Sequence, residues 1–193
     1  NNNDRKSIDR EITQEALEMV QNGSALSTDA ATIVYNPTWN KGVVGIVASR
    51  LVEAFYKPTI VLTKSNGFIT GSARSVAGFD LYEAIESCAD LLENFGGHVY
   101  AAGLTLKEGN LEEFVGRIDK FIAGKITEEM LTPMTDIDAK LEFSQITPKF
   151  FRLLKQFQPF GPGNTNPVFL TENVSDGGNG RKVGAGGVHM KLD

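Results

Sequence analysis

One short segment of the sequence places a histidine next to very flexible backbone. It reads Phe95-Gly96-Gly97-His98 and is followed by two alanines and a third glycine at 101–103. Consecutive glycines let the chain turn where a Cβ would clash, and they let another group approach the main chain closely. Bare N–H groups beside an imidazole are suited to holding an anion. The alternative is a tight turn between a helix and a strand in which His98 has no chemical role, because short glycine motifs often occur by chance.

Two other segments also offer groups that bind anions. Lys41 and the glycine after it come directly before a predicted helix, whose first N–H groups and positive dipole end would point at a ligand. Residues 71–75 run from a predicted strand into a loop, where Ser72 and Ser75 offer hydroxyls and Arg74 offers a guanidinium that can hold a phosphate bidentately. Taken alone, Arg74 would be read as a surface ion pair. Each of the three segments contains glycine and lies at the end of a strand or helix around one sheet. Together they predict a cleft that binds a phosphodiester backbone.

The sequence predicts no metal site. Hydrolytic metal sites need clustered histidines and carboxylates, whereas the two histidines, His98 and His189, fall in different predicted units. Asp136 and Asp138 would share one face of a strand, but a solvated strand edge explains them better. Residues 42–45 lack the third glycine and the lysine that dinucleotide and P-loop motifs need.

The composition is that of a globular protein without a membrane segment. Of the 193 residues, 41% are hydrophobic and 22% are charged, and no apolar run is long enough to span a bilayer. The net charge of −5 argues against a surface that coats nucleic acid non-specifically, while a local basic pocket remains compatible with it. The single cysteine, Cys88, fits a reducing compartment, so we expect a cytoplasmic protein. The missing initiator methionine and a strand-like C-terminal end lead us to expect a fragment of a longer protein.

Apolar periodicity and turn residues predict the elements that position these segments. The predicted elements of a first unit are a leading helix 7–21, a strand 31–35, a helix 43–56, strands 59–63 and 68–73 joined by an Asn66-Gly67 hairpin, a helix 80–95, a strand 102–107 and a helix 110–126. Helices alternating with strands predict an α/β fold with a small mixed sheet flanked by helices.

After a linker at Thr132-Pro133 the pattern changes. The predicted elements of this second unit are a half-exposed strand 137–141, a short helix 148–157, a bend rich in proline and glycine at 158–164, and strand-like segments 168–174 and 181–187. Strands with little helix predict the beginning of a small, partial OB-like β-barrel.

These segments resemble a known family. Residues 39–50, 71–75 and 96–103 look like the C-terminal DHH-associated domain of RecJ-type exonucleases, which belong to the DHH (Asp-His-His) phosphoesterase superfamily. Residues 159–164, then Asn166-Pro167 and 189–192, are similar to the start of the OB-fold domain that follows in RecJ. The resemblance divides the chain into a connector helix 1–23 from a missing catalytic domain, a substrate-binding domain 24–131 and a partial OB-fold domain 132–193. The connector carries Asn3, Arg5 and Lys6.

The resemblance implies a 5′-to-3′ exonuclease that hydrolyses single-stranded DNA in repair and recombination. In that family the Asp-His-His domain holds two Mn²⁺ or Mg²⁺ ions, and the associated domain grips the strand. Transferred to this sequence, the family's pattern implies that His98 would contact the scissile phosphate with the Gly96 and Gly97 backbone. It implies that Ser72 and Arg74 would hold the 5′ phosphate. Ser75, Lys41 and Arg50 are additional candidates for substrate contacts. A helicase and a single-strand-binding protein are candidate partners.

The Asp-His-His motif itself does not occur in the sequence, so we expect this chain alone to be inactive and to hold no metal. Two alternatives stay open. A phosphodiesterase of the same superfamily for cyclic dinucleotides or very short RNAs would carry Gly-Gly-His, but it would not be expected to continue into a β-barrel. A non-catalytic nucleic-acid-binding module, as in alanyl-tRNA synthetases, would lack the segment at 39–50.

Overall fold

A computed structural model of the chain describes residues 2–26 and 29–192. Asn1 of the predicted connector and Asp193 of the predicted barrel lie outside the described residues, as do the side chains of Asn3, Arg5 and Lys6. The chain divides into two compact units, with the boundary between Pro133 and Met134.

The first unit is a five-stranded sheet with helices on both faces. Its helices are α1 (Asn2–Gln21), α2 (Val44–Phe55), α3 (Leu81–Glu86) and α4 (Leu111–Lys125), with 3₁₀ turns at Ala89–Leu91 and Glu108–Asn110. Its strands are β1 (Thr32–Tyr35), β2 (Thr59–Ser65), β3 (Phe68–Arg74), β4 (Leu92–His98) and β5 (Ala101–Leu106), in the spatial order β1-β2-β3-β5-β4. β1 and β2 are parallel and the other pairs are antiparallel. The predicted mixed sheet flanked by helices is confirmed.

The alternation of side chains along the strands gives each face its own core. Ile60 of β2 and Ala73 of β3 point into the larger core, which α3 and α4 cover. Val61, next to Ile60 along the chain, points into the smaller core, which α1 and α2 cover. Cys88 is fully buried in the larger core, and burial raises the pKa of its thiol, so it packs as a small apolar residue.

Short-range signals place the hairpin between β2 and β3 correctly. Asn66 and Gly67 have φ values of 52° and 81°. Positive φ at both central residues is what a two-residue turn needs to match the twist of its strands, and asparagine and glycine tolerate it. β2 and β3 therefore pair antiparallel, as predicted.

The predicted helix over 80–95 is wrong beyond its first turns. α3 ends at Glu86, and the chain becomes strand β4 at Leu92. The Gly96-Gly97-His98 segment consequently lies at the end of an edge strand, and not in a turn between a helix and a strand. The reason is tertiary, since pairing with β4 satisfies backbone N–H and C=O groups along β5 that would otherwise be left open.

Polar side-chain contacts hold the leading helix α1 against the rest of the first unit. Arg50 of α2 donates from Nη2 to Oδ2 of Asp9, which is almost fully buried, at 2.8 Å. Glu15 accepts from Trp39 Nε1 and from Asn36 Nδ2, both at 2.7 Å. A buried charge such as that of Asp9 needs a partner to be tolerated, and together with the bonds of the exposed Glu15 this contact fixes the position of α1 on α2 and β1.

The second unit contains short elements. Its helix is α5 (Pro148–Leu154), with 3₁₀ turns at Phe143–Gln145, Lys155–Phe157 and Ala185–Gly187. β6 (Ala139–Lys140) pairs in parallel with β7 (Phe169–Leu170), and β8 (Arg181–Val183) pairs antiparallel with β9 (His189–Lys191). The carboxylate of Asp138 accepts a hydrogen bond from the Val168 N–H at 2.8 Å, so this residue joins the β6 and β7 segments.

The length and hydropathy of the described helices test for a membrane-spanning segment. Among residues 2–26 and 29–192, none of them is long and apolar enough to cross a bilayer.

Candidate functional site

Three neighbouring strands carry small and polar residues on one face of the sheet. Two rows of paired residues cross β3, β5 and β4: one is Ser72, Gly103 and Gly96, and the other is Arg74, Ala101 and His98. Directly paired residues of antiparallel strands point to the same side. Arg74 and His98 therefore face the same side of the sheet, with their backbones two strand spacings, or about 10 Å, apart.

Beside the row of Arg74, Ala101 and His98 lies a glycine floor, formed by Gly96 and Gly103 of the other row. Both residues are exposed. A Cβ at Gly96 would meet nothing within 4 Å, and one at Gly103 would come no closer than 3.8 Å to the Gly71 carbonyl oxygen. Packing therefore does not require glycine at either position, and the main chain is accessible from this face of the sheet.

Helix α2 forms a wall beside the pair of Ser72 and Arg74. A cavity of about 450 Å³ is lined by Gly42, Gly45, Ile46, Ser49, Arg50, Glu53 and Arg74. An ideal Cβ at Gly45 would lie 3.1 Å from Arg74 Nη2 and 3.2 Å from Ser72 Oγ. The first turn of α2 thus approaches this pair as closely as a glycine allows.

The Arg74 guanidinium is held in place by neutral oxygens. Its Nη1 donates to Ser72 Oγ at 2.9 Å and to the Ala73 carbonyl at 2.8 Å. Among the described residues, no carboxylate forms an ion pair with Arg74. The guanidinium is therefore oriented without an ion-pair partner, in a cavity that Glu53 also lines, and this leaves it able to bind an anionic ligand.

His98 is exposed at the end of β4, and the turn after it is tied to the rest of the site. The Leu81 N–H, at the start of α3, donates to the Val99 carbonyl at 3.0 Å, and the Ser75 N–H donates to the Tyr100 carbonyl at 3.1 Å. These two bonds fix the hairpin between β4 and β5 relative to the loop that follows Arg74. The position of His98 relative to Arg74 is thereby fixed.

Three residues that the sequence predicts as substrate contacts remain: Ser75, Arg50 and Lys41. The Ser75 hydroxyl donates to the Phe79 carbonyl at 2.9 Å and so shapes its own loop. Arg50 lines the cavity, but its guanidinium is engaged by Asp9 and by Thr13 Oγ1, the latter at 3.2 Å. Lys41 is exposed in the turn before α2 and is not among the described residues that line the cavity.

Sequence reasoning missed one residue of this site. Gly45 is not predicted from the sequence as a site residue, although a glycine in the first turn of a predicted helix is a signal of close approach.

Gly45→Ala is expected to weaken phosphate binding at Arg74 without destabilising the fold. Alanine is a better helix former than glycine, so the melting temperature should stay the same or rise. The new methyl group would push the flexible end of Arg74 away from Ser72. The measurement is a thermal melt together with a titration with 5′-phosphorylated DNA.

Gly116→Ala in α4 is the matched control, because nothing lies within 4 Å of a Cβ there. It should leave DNA binding unchanged. Equal DNA binding by both glycine variants would contradict a role for the close approach of α2 to Arg74.

The described residues do not fit a metal ion. They contain no group of three or more histidine, cysteine, aspartate or glutamate side chains that could hold one. The groups that the site does offer, the Arg74 guanidinium and the exposed glycine backbone, are of the kind that binds anions.

Comparison with known proteins gives matches along nearly the whole chain. Residues 28–124 match the DHHA1 domain, and residues 137–193 match the RecJ OB domain. The single-stranded-DNA-specific exonuclease RecJ of Bacillus subtilis is 38% identical over 99% of this chain, which corresponds to 24% of that protein.

Solved structures agree with these matches. The structure of RecJ from Thermus thermophilus in complex with Mn²⁺ superposes with a TM-score of 0.75 at 29% identity, covering 93% of this chain and 26% of that one. The same protein in complex with Mg²⁺ gives a TM-score of 0.74 at 29% identity, covering 93% of this chain and 28% of that one. The chain thus spans about a quarter to a third of the length of the RecJ proteins it matches.

Proposed function

Since the chain belongs to the DHHA1 domain family and carries a RecJ OB domain after it, we propose that it is the substrate-binding part of a 5′-to-3′ single-stranded-DNA exonuclease. Within it, residues 1–23 are the connector from a catalytic domain, 24–131 the substrate-binding domain, and 132–193 part of the OB-fold domain. The complete enzyme hydrolyses phosphodiester bonds in DNA repair and recombination in the cytoplasm, with a helicase and a single-strand-binding protein as partners.

The observation that carries this proposal is the position of Arg74. Its guanidinium is oriented by Ser72, lacks a carboxylate partner among the described residues, and borders both the α2 cavity and the glycine floor. A terminal phosphate bound at Arg74 and Ser72 would leave the rest of the strand free to run over the exposed Gly103 and Gly96. This is the arrangement expected of a site that reads a strand end.

His98 lies where the next part of the strand would pass. It shares a face with Arg74, and the strand carrying it is fixed by the hydrogen bonds of the Val99 and Tyr100 carbonyls. In this proposal His98 contacts the scissile phosphate, with Gly96 and Gly97 admitting the phosphate to the main chain. Ser75 supports the loop, Arg50 forms part of the cavity wall, and Lys41 remains a candidate for a substrate contact outside that wall.

The metal ions of the complete enzyme belong, in this proposal, to the catalytic domain outside this chain. The Thermus RecJ structures contain Mn²⁺ or Mg²⁺, and such ions can activate water for attack on a phosphodiester. The described residues contribute the binding and positioning of DNA. We accordingly expect the chain alone to bind without cleaving.

The RecJ OB match at 137–193 counts against the alternative of a phosphodiesterase for cyclic dinucleotides or very short RNAs. That alternative would not be expected to continue into an OB-fold domain.

The test is a fluorescence anisotropy titration of the chain with a short single-stranded DNA that ends in either a 5′ phosphate or a 5′ hydroxyl. We expect about ten-fold tighter binding of the 5′ phosphate, the effect of one charge-assisted contact. The preference should disappear in Ser72→Ala/Arg74→Ala. Arg117→Ala, which removes a guanidinium that Asp90 and Glu113 hold in α4, should leave it unchanged.

Equal affinity for the two ends would contradict the end-reading site. A preference that survives in Ser72→Ala/Arg74→Ala would place that site elsewhere in the chain.

A further inference from the structure

The cavity beside Arg74 has opposite charges at its two ends. Its lining residues in and just before α2 recur every three or four positions, which is the spacing of one helix face: Gly42, Gly45, Ile46, Ser49, Arg50 and Glu53. Gly45 lies at the Arg74 end of this face. Glu53 follows eight residues later, about 12 Å further along the helix axis. A ligand that enters at Arg74 therefore meets a guanidinium first and a carboxylate further in.

The charge of Glu53 is not offset by a neighbouring cation. Among the described residues, no lysine or arginine forms an ion pair with Glu53. Exposed glutamates on other helices behave differently, since Glu83 is ion-paired with Lys125 and Glu113 with Arg117. The negative charge of Glu53 consequently acts on whatever enters the cavity.

The residues between Arg74 and Glu53 supply no further free positive charge. The charge of Arg50 is balanced by Asp9, 2.8 Å away. The Ser49 hydroxyl donates to the Gly45 carbonyl at 3.1 Å, so its proton is already used inside the helix. Among the described residues that line the cavity, Arg74 is thus the cation that an anion can approach without displacing an ion pair.

We propose that Glu53 is a specificity-determining residue, which restricts the site at Arg74 to strand ends with a single 5′ phosphate and selects against a 5′ diphosphate or triphosphate. One phosphate monoester carries a charge between about −1.5 and −2 near neutral pH. When that phosphate lies on Arg74 and the strand runs over the glycine floor, further phosphates extend into the cavity towards Glu53. Like charges then face each other without a cation between them, which disfavours binding.

This selection depends on charge and not on space. The cavity volume of about 450 Å³ lies within the range of pockets that hold whole small molecules, so two further phosphates are not excluded by size. The proposal rests on the proposed function for the phosphate site itself. It adds the class of strand end that this site accepts.

The experiment is a fluorescence anisotropy titration of the whole chain with one short single-stranded DNA prepared with three ends, a 5′ hydroxyl, a 5′ monophosphate and a 5′ triphosphate. The monophosphate is expected to bind about five-fold more tightly than the triphosphate, although the triphosphate carries more negative charge. Raising the salt concentration should reduce this difference, because salt screens the repulsion.

Two substitutions of Glu53 test the role of its charge. Glu53→Gln keeps the size of the side chain and should bring the affinities for the two phosphorylated ends to within about two-fold of each other. Glu53→Lys should reverse the order, so that the triphosphate binds more tightly. Glutamine and lysine are both good helix formers, so a thermal melt should show an intact fold.

Glu86→Gln is the matched control, since Glu86 is exposed on α3, which covers the opposite face of the sheet. It should leave the ratio of monophosphate to triphosphate affinity unchanged.

Tighter binding of the triphosphate than of the monophosphate by the original chain would overturn this proposal. An affinity ratio that stays the same in Glu53→Gln and Glu53→Lys would overturn it as well, because the selection would then not come from Glu53. If the monophosphate binds no better than the hydroxyl, the phosphate site at Arg74 is rejected together with this proposal. A monophosphate preference over the hydroxyl with no effect of Glu53 rejects this proposal alone.

Discussion

Gly97→Ala is expected to lower the free energy of unfolding of the first unit by about 3 kcal/mol, the scale of a strained backbone combined with a core clash. Gly97 has a φ of 150°, and a Cβ there would lie 2.3 Å from the Ala101 carbonyl oxygen and 2.5 Å from the Ala102 Cα. Both atoms belong to the backbone of the paired strand β5, so neither can move aside as a side chain would. The measurement is urea denaturation followed by circular dichroism.

Gly96→Ala is the control one residue earlier, because it adds the same methyl group where nothing lies within 4 Å. It should leave the stability unchanged or slightly higher while covering part of the glycine floor, so that DNA binding weakens. If the two variants have the same stability, the close pairing at Gly97 does not limit the fold.

His98→Ala is expected to lower the turnover of the complete exonuclease by about 100-fold, the usual cost of removing one group that stabilises charge on a reacting centre. His98 is exposed at the end of an edge strand, so its removal should not change the melting temperature. Turnover is measured as release of nucleotides from 5′-phosphorylated single-stranded DNA.

His189→Ala in β9 is the matched control, since it removes the other histidine, which is also exposed. It should leave turnover within a factor of a few of the original. A large drop in melting temperature for His98→Ala would show that His98 supports the hairpin between β4 and β5 and does not act on the substrate.

The parts of the site that the sequence predicts are those set by local rules. Ser72 and Arg74 are two residues apart on a strand, so the period of the strand alone puts them on one face. The Asn66-Gly67 turn fixes which strand pairs with β2, because its residues accept positive φ. From these two signals the position of Arg74 at the end of β3 follows without further information.

The position of His98 could not be derived in the same way. Leu92 and Phe95 continue the apolar phase of α3, so helical and extended conformations are both compatible with the residues. The strand forms because Phe95 packs on Tyr82, with ring centroids 5.8 Å apart, and because the segment pairs with β5. Both contacts depend on tertiary structure, which overrides a local periodicity.

Gly45 illustrates the same limit for the site. Its importance lies in its distance to Ser72 and Arg74, which follow it by more than twenty-five residues in the sequence. Only the packing of α2 on β3 brings them together. A helix glycine by itself signals that something comes close, but it does not say what.

The contact between Arg50 and Asp9 connects α1 to the wall of the cavity beside Arg74. Arg50 lines the cavity next to Arg74, and the same guanidinium grips α1 through Asp9. α1 has 20 residues, which makes it a rod about 30 Å long. Ile12 and Ala16 of α1 also pack in the smaller core with α2 residues, so the leading helix and the wall beside Arg74 form one packed layer.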